Sequence, residues 1–598
     1  MNHFRPLYVS FFPLSPTFDE PKTIEMDTCD HSRPYILLIF LIGRLRSPPC
    51  PTSDGWSFLS DYSDRATNVF LWVSLIAVTA LLLKRIAELL LLWARSARIP
   101  GPPSPSFFGH TSLVSGSGDL TGLLGRVHEK YGPVVKLWLG PQPLISLKDP
   151  TVIREVLKDA KDKLPSTGWA FGLGRCGLFS PSFKKVQKMR ESLAMRLNDK
   201  LLDRAHAVPL KVIDCVMERI KSTMDKGSLD CSSFSPHMGF YVIGALIFGE
   251  GFLSWPKVAI YEELLMMIAN NSRLWALYDI PPVWKRGFWR YWRLRMRLRT
   301  LTQDIISHCR TGQKISSQAD QRLGVDRKHV NTEVMAGSFL LEAFDGHRSL
   351  NEEPCGSIMG VMFHGYLTIS ALVNNVLIWI ALDSDIQEKI YSEILAVCKG
   401  SAELDSHNVQ RMHILLAVVY ESARLLPRRP LLQRCSLGHD LNLKTGVTLP
   451  AKALYVIPVQ LVQTDNIIWG DDACQFNPYR FLSKDDRHTD ISLEDKSDLE
   501  SVKSFTVPPG RNKDPVNSSF VLNDPNDNAA FLPFGSGSRA CIGQRFSILS
   551  IATLCASLLQ HYEIRIQPGS VDNPKPTTNT WVFQPLPTPK IAFVRRAH

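Results

Sequence analysis

A glycine-rich segment near the C-terminus carries the residues best suited to chemistry. It reads FGSGSRACIG from Phe534 to Gly543, and an apolar run typical of a helix follows from Phe546 to Leu559. Cys541 therefore lies just before a helix N-terminus, where the dipole and the open N–H groups stabilise a thiolate. The glycines allow tight turns and close approach to a flat ligand, and Arg539 offers a fork of donors to a carboxylate. This pattern predicts a thiolate ligand beside a flat, acidic cofactor.

The same segment resembles the cytochrome P450 signature F-x-x-G-x-R-x-C-x-G. It matches at all five fixed positions, which are Phe534, Gly537, Arg539, Cys541 and Gly543. The resemblance implies haem b (iron protoporphyrin IX), with Cys541 as the axial ligand of the iron and the other four residues in cofactor binding. A thiolate in this position pushes electron density onto the iron and favours O–O cleavage.

Two upstream segments resemble further motifs of that family. ESAR, from Glu421 to Arg424, resembles E-x-x-R. WGDDACQFNPYRF, from Trp469 to Phe481, resembles W-G-x-D-A-x-x-F-x-P-E-R-F, with Tyr479 in place of the usual Glu. By this resemblance three residues form a buried charge network behind the haem: Glu421, Arg424 and Arg480. Removal of one member would leave a buried charge without its partner.

The haem propionates need cationic partners, and the resemblance supplies three. Arg539 is one, and Arg434, which follows Pro430 by four residues, is another. The third is Arg190, because the family's W-x-x-x-R appears as VQKMR with Val186 in place of the tryptophan.

The family's oxygen-activating helix usually carries A/G-G-x-D/E-T-T/S. Gln387-Glu388-Lys389 resembles the start of the following helix and sets the register, so the motif falls on HGYLTI, residues 364–369. The resemblance implies that Gly365 leaves room for dioxygen, and that Thr368 donates a hydrogen bond to it and relays a proton. Leu367 occupies the place of the acid. Protons are therefore expected to arrive through water, Ser370 or His364.

These residues need a large, mainly helical domain with small β-sheets to position them. Helical patterns lie around 185–225, 235–250, 257–270, 290–310 and 355–395. Tyr131 to Leu147 predicts two strands around a Gly140-Pro141 turn, Asp149-Pro150 opens a helix, and a further strand-like stretch lies near 446–458. The apolar run 355–382 is interrupted by polar residues that would be costly in lipid, so it is expected to be a buried helix.

An uncharged run, VFLWVSLIAVTALLL from Val69 to Leu83, predicts a membrane anchor. With Thr67 and Asn68 it reaches the lower limit of about 17 residues for a spanning helix. Basic residues follow the run and aspartates precede it, which orients the C-terminal body towards the cytosol. The expected location is the endoplasmic reticulum membrane, crossed once.

Four regions are expected along the chain. Residues 1–66 form an irregular N-terminal extension, and 67–98 form the membrane anchor and a basic linker. A proline-rich hinge at 99–105 is a stiff spacer. Residues 106–598 form the haem-thiolate catalytic domain, in which 483–528 are a polar surface insertion. The P450 resemblance covers roughly 98–598.

Composition excludes several other classes. The 44% hydrophobic content of the 598 residues is too low for a polytopic membrane protein. None of the 12 cysteines forms a C-x-x-C pair, which leaves zinc ribbons and thioredoxin-type sites without support. The net charge of +11 is modest and is taken as spread along the chain, so nucleic acid is not expected as a partner.

The resemblance implies a monooxygenase that takes electrons from an NADPH-cytochrome reductase, an acidic flavoprotein, and inserts one oxygen atom into a lipophilic small molecule. Two alternatives remain open. One is a haem-thiolate peroxide isomerase or dehydratase, which Leu367 favours and which Thr368 and the uninterrupted cysteine loop disfavour. The other is a haem-binding protein without turnover.

Overall fold

A computed structural model describes most of the chain between Trp56 and Arg596. The described residues are 56–104, 109–110, 120–140, 142–162, 178, 182–194, 208–214, 229–275, 286–323, 354–398, 404, 406–426, 431–434, 437–444, 446–482, 530–567 and 590–596. The predicted irregular residues 1–55 and the predicted insertion 483–528 lie outside them.

Helices form most of the described structure, as predicted. In chain order they are α1 (Trp56–Ser96), α2 (Leu120–Tyr131), α3 (Pro150–Asp159), α4 (183–194), α5 (208–214), α6 (Cys231–Phe248), α7 (Glu250–Leu253), α8 (Val258–Trp275), α9 (Arg286–Leu323), α10 (Pro354–Leu382), α11 (Ser384–Cys398), α12 (Ser406–Gln410), α13 (His413–Leu425), α14 (Val459–Gln463), α15 (Asn466–Trp469) and α16 (Gln544–His561).

The strands are short. They are β1 (Val134–Leu139), β2 (Gln142–Leu147), β3 (Leu229–Asp230), β4 (Leu431–Arg434), β5 (Leu441–Asn442), β6 (Thr448–Leu449), β7 (Leu454–Pro458), β8 (Tyr562–Ile566) and β9 (Lys590–Arg595). The largest sheet of the described part has the order β1-β2-β7-β4. Its β1–β2 hairpin, with Val134 opposite Leu147, confirms the predicted strand pair.

The first helix contains the predicted anchor but begins earlier. The segment Arg65–Ser96 is long and apolar enough to cross a membrane, and no residue of its most apolar stretch is buried. Residues 56–66 are helical, so their assignment to an irregular extension is wrong. After Pro51 and Gly55 the sequence holds no proline or glycine until the helix ends. Extension of an existing helix costs far less than its nucleation, so these residues continue it.

The chain divides at Lys84 into two compact units. In the second unit, the end of α1 and the predicted hinge pack on β1. Lys136 Nζ donates to Ser96 O at 2.7 Å, and the Trp93 and Trp138 ring centroids are 4.9 Å apart. Lys136 N donates to Pro100 O at 2.8 Å. The described part of the hinge, 99–104, is therefore fixed by the sheet as well as by its prolines.

The apolar helix α10 is buried in the second unit, as predicted. Half of its most apolar window is buried, and α6 packs along it. A Cβ on Gly239 of α6 would meet the Ser370 backbone nitrogen at 2.7 Å, so glycine permits this close approach. The predicted helical run 355–395 is divided at Asp383, whose carboxylate accepts from Ile386 N at 3.0 Å and caps α11.

Candidate active site around Cys541

The cysteine loop is closed by its own backbone. Cys541 N donates to Phe534 O, and Ala540 N donates to Gly537 O, both at 2.9 Å. Gly535 has a φ of 76° and Gly537 a φ of 67°, which L side chains rarely adopt. The loop presents Cys541 as an exposed side chain shortly before α16 begins. The predicted helix after the cysteine is confirmed.

Gly537 also allows a close contact between the loop and a neighbouring helix. A Cβ there would lie 2.6 Å from the Leu157 carbonyl oxygen, so this glycine allows the loop to pack on α3. Asp149 caps α3 by accepting from Thr151 N at 2.7 Å, as the Asp-Pro pair predicted. At Gly543, by contrast, no described atom lies within 4 Å of a built Cβ. Protein packing therefore explains Gly537 but not Gly543.

Two arginines flank the cysteine. Arg190, on α4, donates to Ala540 O at 2.5 Å. Arg539 is 7% exposed, donates to Lys161 O at 3.0 Å, and has its guanidinium 5.2 Å from the centroid of the Phe183 ring. The structure thus brings together two of the three predicted propionate partners, although they are far apart in the sequence.

The electrostatics of this arginine pair favour a bound anion. Burial lowers the pKa of Arg190, while the neighbouring Cys541 acts in the opposite direction. Burial, followed by repulsion from Arg190, lowers the pKa of Arg539 to about 10, although Asp162 raises it. A negative group between two such cations would relieve their repulsion. The adjacent Ser538 hydroxyl is buried without a hydrogen-bond partner among the described atoms. A polar group of a bound ligand would supply that partner.

The predicted charge network is present and buried. Glu421 and Arg424 are fully buried and form a bidentate pair, with Nε to Oε2 at 2.6 Å and Nη2 to Oε1 at 2.7 Å. Arg480 Nε donates to Glu421 Oε1 at 3.2 Å. The network joins α13 to the short helical turn Pro478–Phe481.

Sequence reasoning missed the other partners of the network. Arg424 also donates to the carbonyls of Gln463 and Ala473, and its guanidinium lies 5.1 Å from the centroid of the Trp469 ring. Asp472 accepts from Arg480 Nη2 at 2.9 Å. The W-G-x-D-A motif was the signal, because it holds three of these four residues, but it does not reveal which atoms meet.

Burial would raise the pKa of the Asp472 carboxyl. Hydrogen bonds from Asn477 and Arg480, and the Arg480 charge, outweigh this effect and lower the pKa. Asp472 is thereby held as a carboxylate at the outer end of the network.

One face of α10 lies between two elements of the site. Ser357, His364, Thr368 and Asn375 follow one another at helical spacing and share this face. At one end Ser357 accepts from Leu178 N and contacts Met189, the neighbour of Arg190. At the other end Asn375 donates to Leu426 O, just after α13. Thr368, between these covered ends, is exposed.

The hydroxyl of Thr368 is already committed as a donor. Its Oγ1 donates to His364 O at 2.8 Å, with Gly365 O at 3.3 Å. The lone pairs of Oγ1 are therefore the part left to meet a ligand. The predicted hydrogen bond from Thr368 to dioxygen stays a prediction, because it would require the hydroxyl to turn away from His364 O.

Gly365 and Ser370 both contact α6. A Cβ on Gly365 would lie 2.6 Å from Ile243 of α6, so this glycine permits helix packing, and its role beside dioxygen stays a prediction. Ser370 is buried against Gly239 and donates to Tyr366 O at 2.5 Å. Ser370 therefore lies on the side of the helix opposite to Thr368, whereas Gly365, three residues before Thr368, lies between the two sides.

Arg434 is described by its backbone only. It is the last residue of β4 and pairs with Tyr455 of β7, while its side chain lies outside the described part.

A mainly helical domain that presents a cysteine in a closed loop before a helix, flanked by the buried Arg539 and the half-buried Arg190, is typical of a thiolate-ligand haem protein. A family model for cytochrome P450 matches residues 99–592. The chain belongs to the cytochrome P450 family.

Relatives support this membership across kingdoms. Cytochrome P450 72A397 from Kalopanax septemlobus is 24% identical, covering 75% of this chain and 78% of its own length. Cytochrome P450 734A5 from Oryza sativa subsp. japonica is 24% identical, covering 74% and 76%. Probable cytochrome P450 313a4 from Drosophila melanogaster is 21% identical, covering 79% and 90%. The family binds haem, and its homologues are monooxygenases, so the chain is an oxidoreductase of that class.

Proposed function

We propose that this protein holds haem b through Cys541 and inserts one atom of dioxygen into a lipophilic small molecule. Electrons would come from an NADPH-cytochrome reductase. The observation that carries the proposal is the exposed Cys541 in its closed loop, beside the arginine pair Arg190 and Arg539. A thiolate and two neighbouring cations are the donor set that an iron porphyrin with two carboxylates requires.

The residues around the loop divide the work of binding. Arg190, Arg539 and Arg434 would bind the propionates. Gly543, which has no described neighbour that forbids a side chain, would let the porphyrin approach, and Phe534 holds the loop closed through its carbonyl. Bound haem supplies dioxygen activation, which the thiolate promotes.

The ligand assignment is tested on Cys541→Ala with Cys474→Ala as the matched control, because both cysteines are exposed. The reduced, CO-bound wild type and Cys474→Ala should show the red-shifted Soret band of a thiolate-bound haem. Cys541→Ala should lose it. If Cys541→Ala keeps the band, Cys541 is not the ligand.

Proton delivery falls to His364 and Thr368. The helix α10 carries no Asp or Glu from Pro354 to Leu382, and Ser370 faces α6. His364 and Thr368 share the face that lies between α4 and the end of α13. Thr368 Oγ1 would accept a hydrogen bond from a water on the distal side of the haem, and His364 with water would hold the proton. General-acid relay of this kind contributes roughly 100-fold or more to a rate.

Coupling of NADPH to product tests this relay. Thr368→Ala and His364→Phe should lower product formed per NADPH and raise peroxide release. Ser370→Ala, which changes a hydroxyl on the opposite side of the same helix, should leave coupling unchanged. Leu367→Asp should raise coupling if the carboxyl stays ionised. Equal coupling in all four variants and the wild type would end the relay proposal.

The absence of an acid on α10 favours one second candidate, a haem-thiolate enzyme that rearranges peroxides without external electrons. Full turnover with an organic peroxide alone, unaffected by Thr368→Ala, would support it. If neither NADPH consumption nor peroxide-driven product is seen with any lipophilic substrate, the result would instead support a haem-binding protein without turnover.

We further propose that α1 anchors the protein once in the endoplasmic reticulum membrane, with the haem domain in the cytosol. The support for this anchor is the 32-residue apolar segment Arg65–Ser96. No residue of its most apolar stretch is buried. Alkaline carbonate and high salt should not release the full-length protein, since apolar burial holds a spanning helix. Release by salt alone would contradict the anchor.

A further inference from the structure

A histidine on α10 stands where the family pattern has a small residue. The first position of A/G-G-x-D/E-T-T/S is Ala or Gly, and in the segment HGYLTI that position holds His364. The imidazole extends farther from the helix than the hydrogen or methyl group of the pattern. Gly365 and Thr368 keep their places in the same turn. The substitution therefore adds one large polar ring beside the hydroxyl of Thr368.

This ring lies on the one open side of a buried helix. Along the middle of α10 the half-buried or exposed residues recur at helical spacing, and we call them the open strip: Val361, His364, Leu367, Thr368, Ala371 and Asn374. The residues between them that face the core, such as Phe363 and Tyr366, are buried. His364 precedes Thr368 by four residues, so the two side chains are neighbours on the strip. A histidine that served only to pack the helix would be expected on the core side.

The open strip and the cysteine loop lie in the same region of the domain. At one end α10 contacts Met189, whose neighbour Arg190 donates to Ala540 O in the loop at 2.5 Å. Farther along the helix, Leu367 of the strip and Ile542 of the loop pack against the same apolar core. A haem held on one face by the loop cysteine would therefore present its other face to the strip.

We propose that the imidazole of His364 is the sixth ligand of the haem iron in the substrate-free protein, on the face opposite Cys541. Neutral imidazole is a common ligand of haem iron. Because the ring is tethered to α10, its effective concentration beside the iron is high. The exchange of one ligand for another moves no electron. His364 would thus close the oxygen site until an entering ligand displaces it, after which the ring can hold a proton.

This inference rests on the proposed haem site at Cys541 and adds a control of access to it. The contact of the imidazole with the Phe363 ring, whose centroids are 5.5 Å apart and whose planes are nearly perpendicular, offers the displaced ring a second position. A change of side-chain rotamer is then sufficient for the exchange, and α10 need not move.

The experiment is pulsed electron paramagnetic resonance on the full-length, haem-loaded ferric protein, grown with histidine that carries the heavy nitrogen isotope. The wild type should show the strong coupling of a ring nitrogen bound directly to iron. His364→Phe keeps a ring of similar size and should lose this coupling. His308→Phe is the matched control, because His308 is exposed on α9, and it should keep the coupling.

Titration with free imidazole gives a second readout. If His364 occupies the sixth position in about nine of ten molecules, it lowers the apparent affinity for an external ligand about tenfold. His364→Phe should therefore bind imidazole about tenfold more tightly than the wild type, and His308→Phe should not. Since phenylalanine retains the bulk of histidine, opened space would not explain the gain.

The proposal is overturned if the wild type lacks the nitrogen coupling while its reduced, CO-bound form shows the thiolate band. It is also overturned if the coupling or the weaker imidazole affinity persists in His364→Phe. Retention of the thiolate band in Cys541→Ala would instead overturn the proposed haem site, so the two proposals fail on different measurements.

Discussion

Neutralising either of the two carboxylates that bind Arg480 should lower the free energy of unfolding, but by very different amounts. Glu421→Gln and Asp472→Asn each remove one negative charge with little change in shape. Glu421 is fully buried and also pairs with the fully buried Arg424. The Asp472 side chain is 37% exposed. The two variants therefore compare the same chemical change in two solvent environments.

The magnitudes follow from burial. Loss of one partner of a buried ion pair costs about 3–5 kcal/mol, because the other charge is left uncompensated. Arg424 keeps its bonds to the Gln463 and Ala473 carbonyls, so we expect the lower end, about 3 kcal/mol for Glu421→Gln. That corresponds to about a hundredfold change in the unfolding equilibrium. A half-exposed pair contributes about 0–1 kcal/mol, so Asp472→Asn should cost little.

The assay is urea unfolding of the haem-loaded protein, followed by far-ultraviolet circular dichroism and by haem release. Glu421→Gln should lower the urea concentration at the unfolding midpoint strongly, and Asp472→Asn should lower it only slightly. If Glu421→Gln does not accumulate as a haem protein while Asp472→Asn does, the order still holds. Equal midpoints for the two variants would refute the reasoning from burial.

Three further predictions address packing, pH and the redox partner. Gly239→Ala should destabilise the protein by about 1–3 kcal/mol by forcing α6 from the Ser370 backbone, whereas Gly125→Ala, whose Cβ would meet only ordinary contacts, should stabilise it slightly in the same thermal melts. Burial raises the pKa of Glu393 from 4.5 to about 7. The contribution of the protonated carboxyl to stability is therefore fully present below pH 4.5 and is lost as the pH rises through 7. Glu393→Gln should remove this dependence of the free energy of unfolding on pH between these two values. Lys188 is exposed on the helix that contacts the cysteine loop, so Lys188→Glu should slow reduction by an acidic reductase, and an unchanged, salt-independent rate would contradict that docking site.

The residues of the cysteine loop, and Glu421 with Arg424, lie close together in the sequence, so local motifs identified them, whereas Arg480 was assigned to the charge network by the family resemblance. Cys541, Arg539 and Phe534 occupy one short loop, and Glu421 with Arg424 occupies one helical turn. Backbone geometry alone places such neighbours. The approach of Arg190 to Ala540, across 350 residues, came from the family resemblance and not from any spacing.

The glycines and the charges of single helices were harder to interpret. Gly365 and Gly537 matched motif positions, yet their contacts are Ile243 and the Leu157 carbonyl, which lie on other helices. The arginine-rich start of α9 is evident in the sequence, but the exposure of Trp289 and Trp292 depends on which side of α9 packs against the core. The motifs identified glycine at positions 365 and 537, but the contacts that require glycine there come from residues on other helices.

The sequence by itself determined the thiolate loop, the ion pair of α13, the apolar character of α1 and the mainly helical class, because each depends on short-range spacing or on periodicity. The tertiary structure decided that Ser370 faces α6 and that Arg190 and Arg539 repel each other beside Cys541. These properties depend on distances between elements separated by more than a hundred residues. Burial and charge act through space, and only the folded chain fixes those distances.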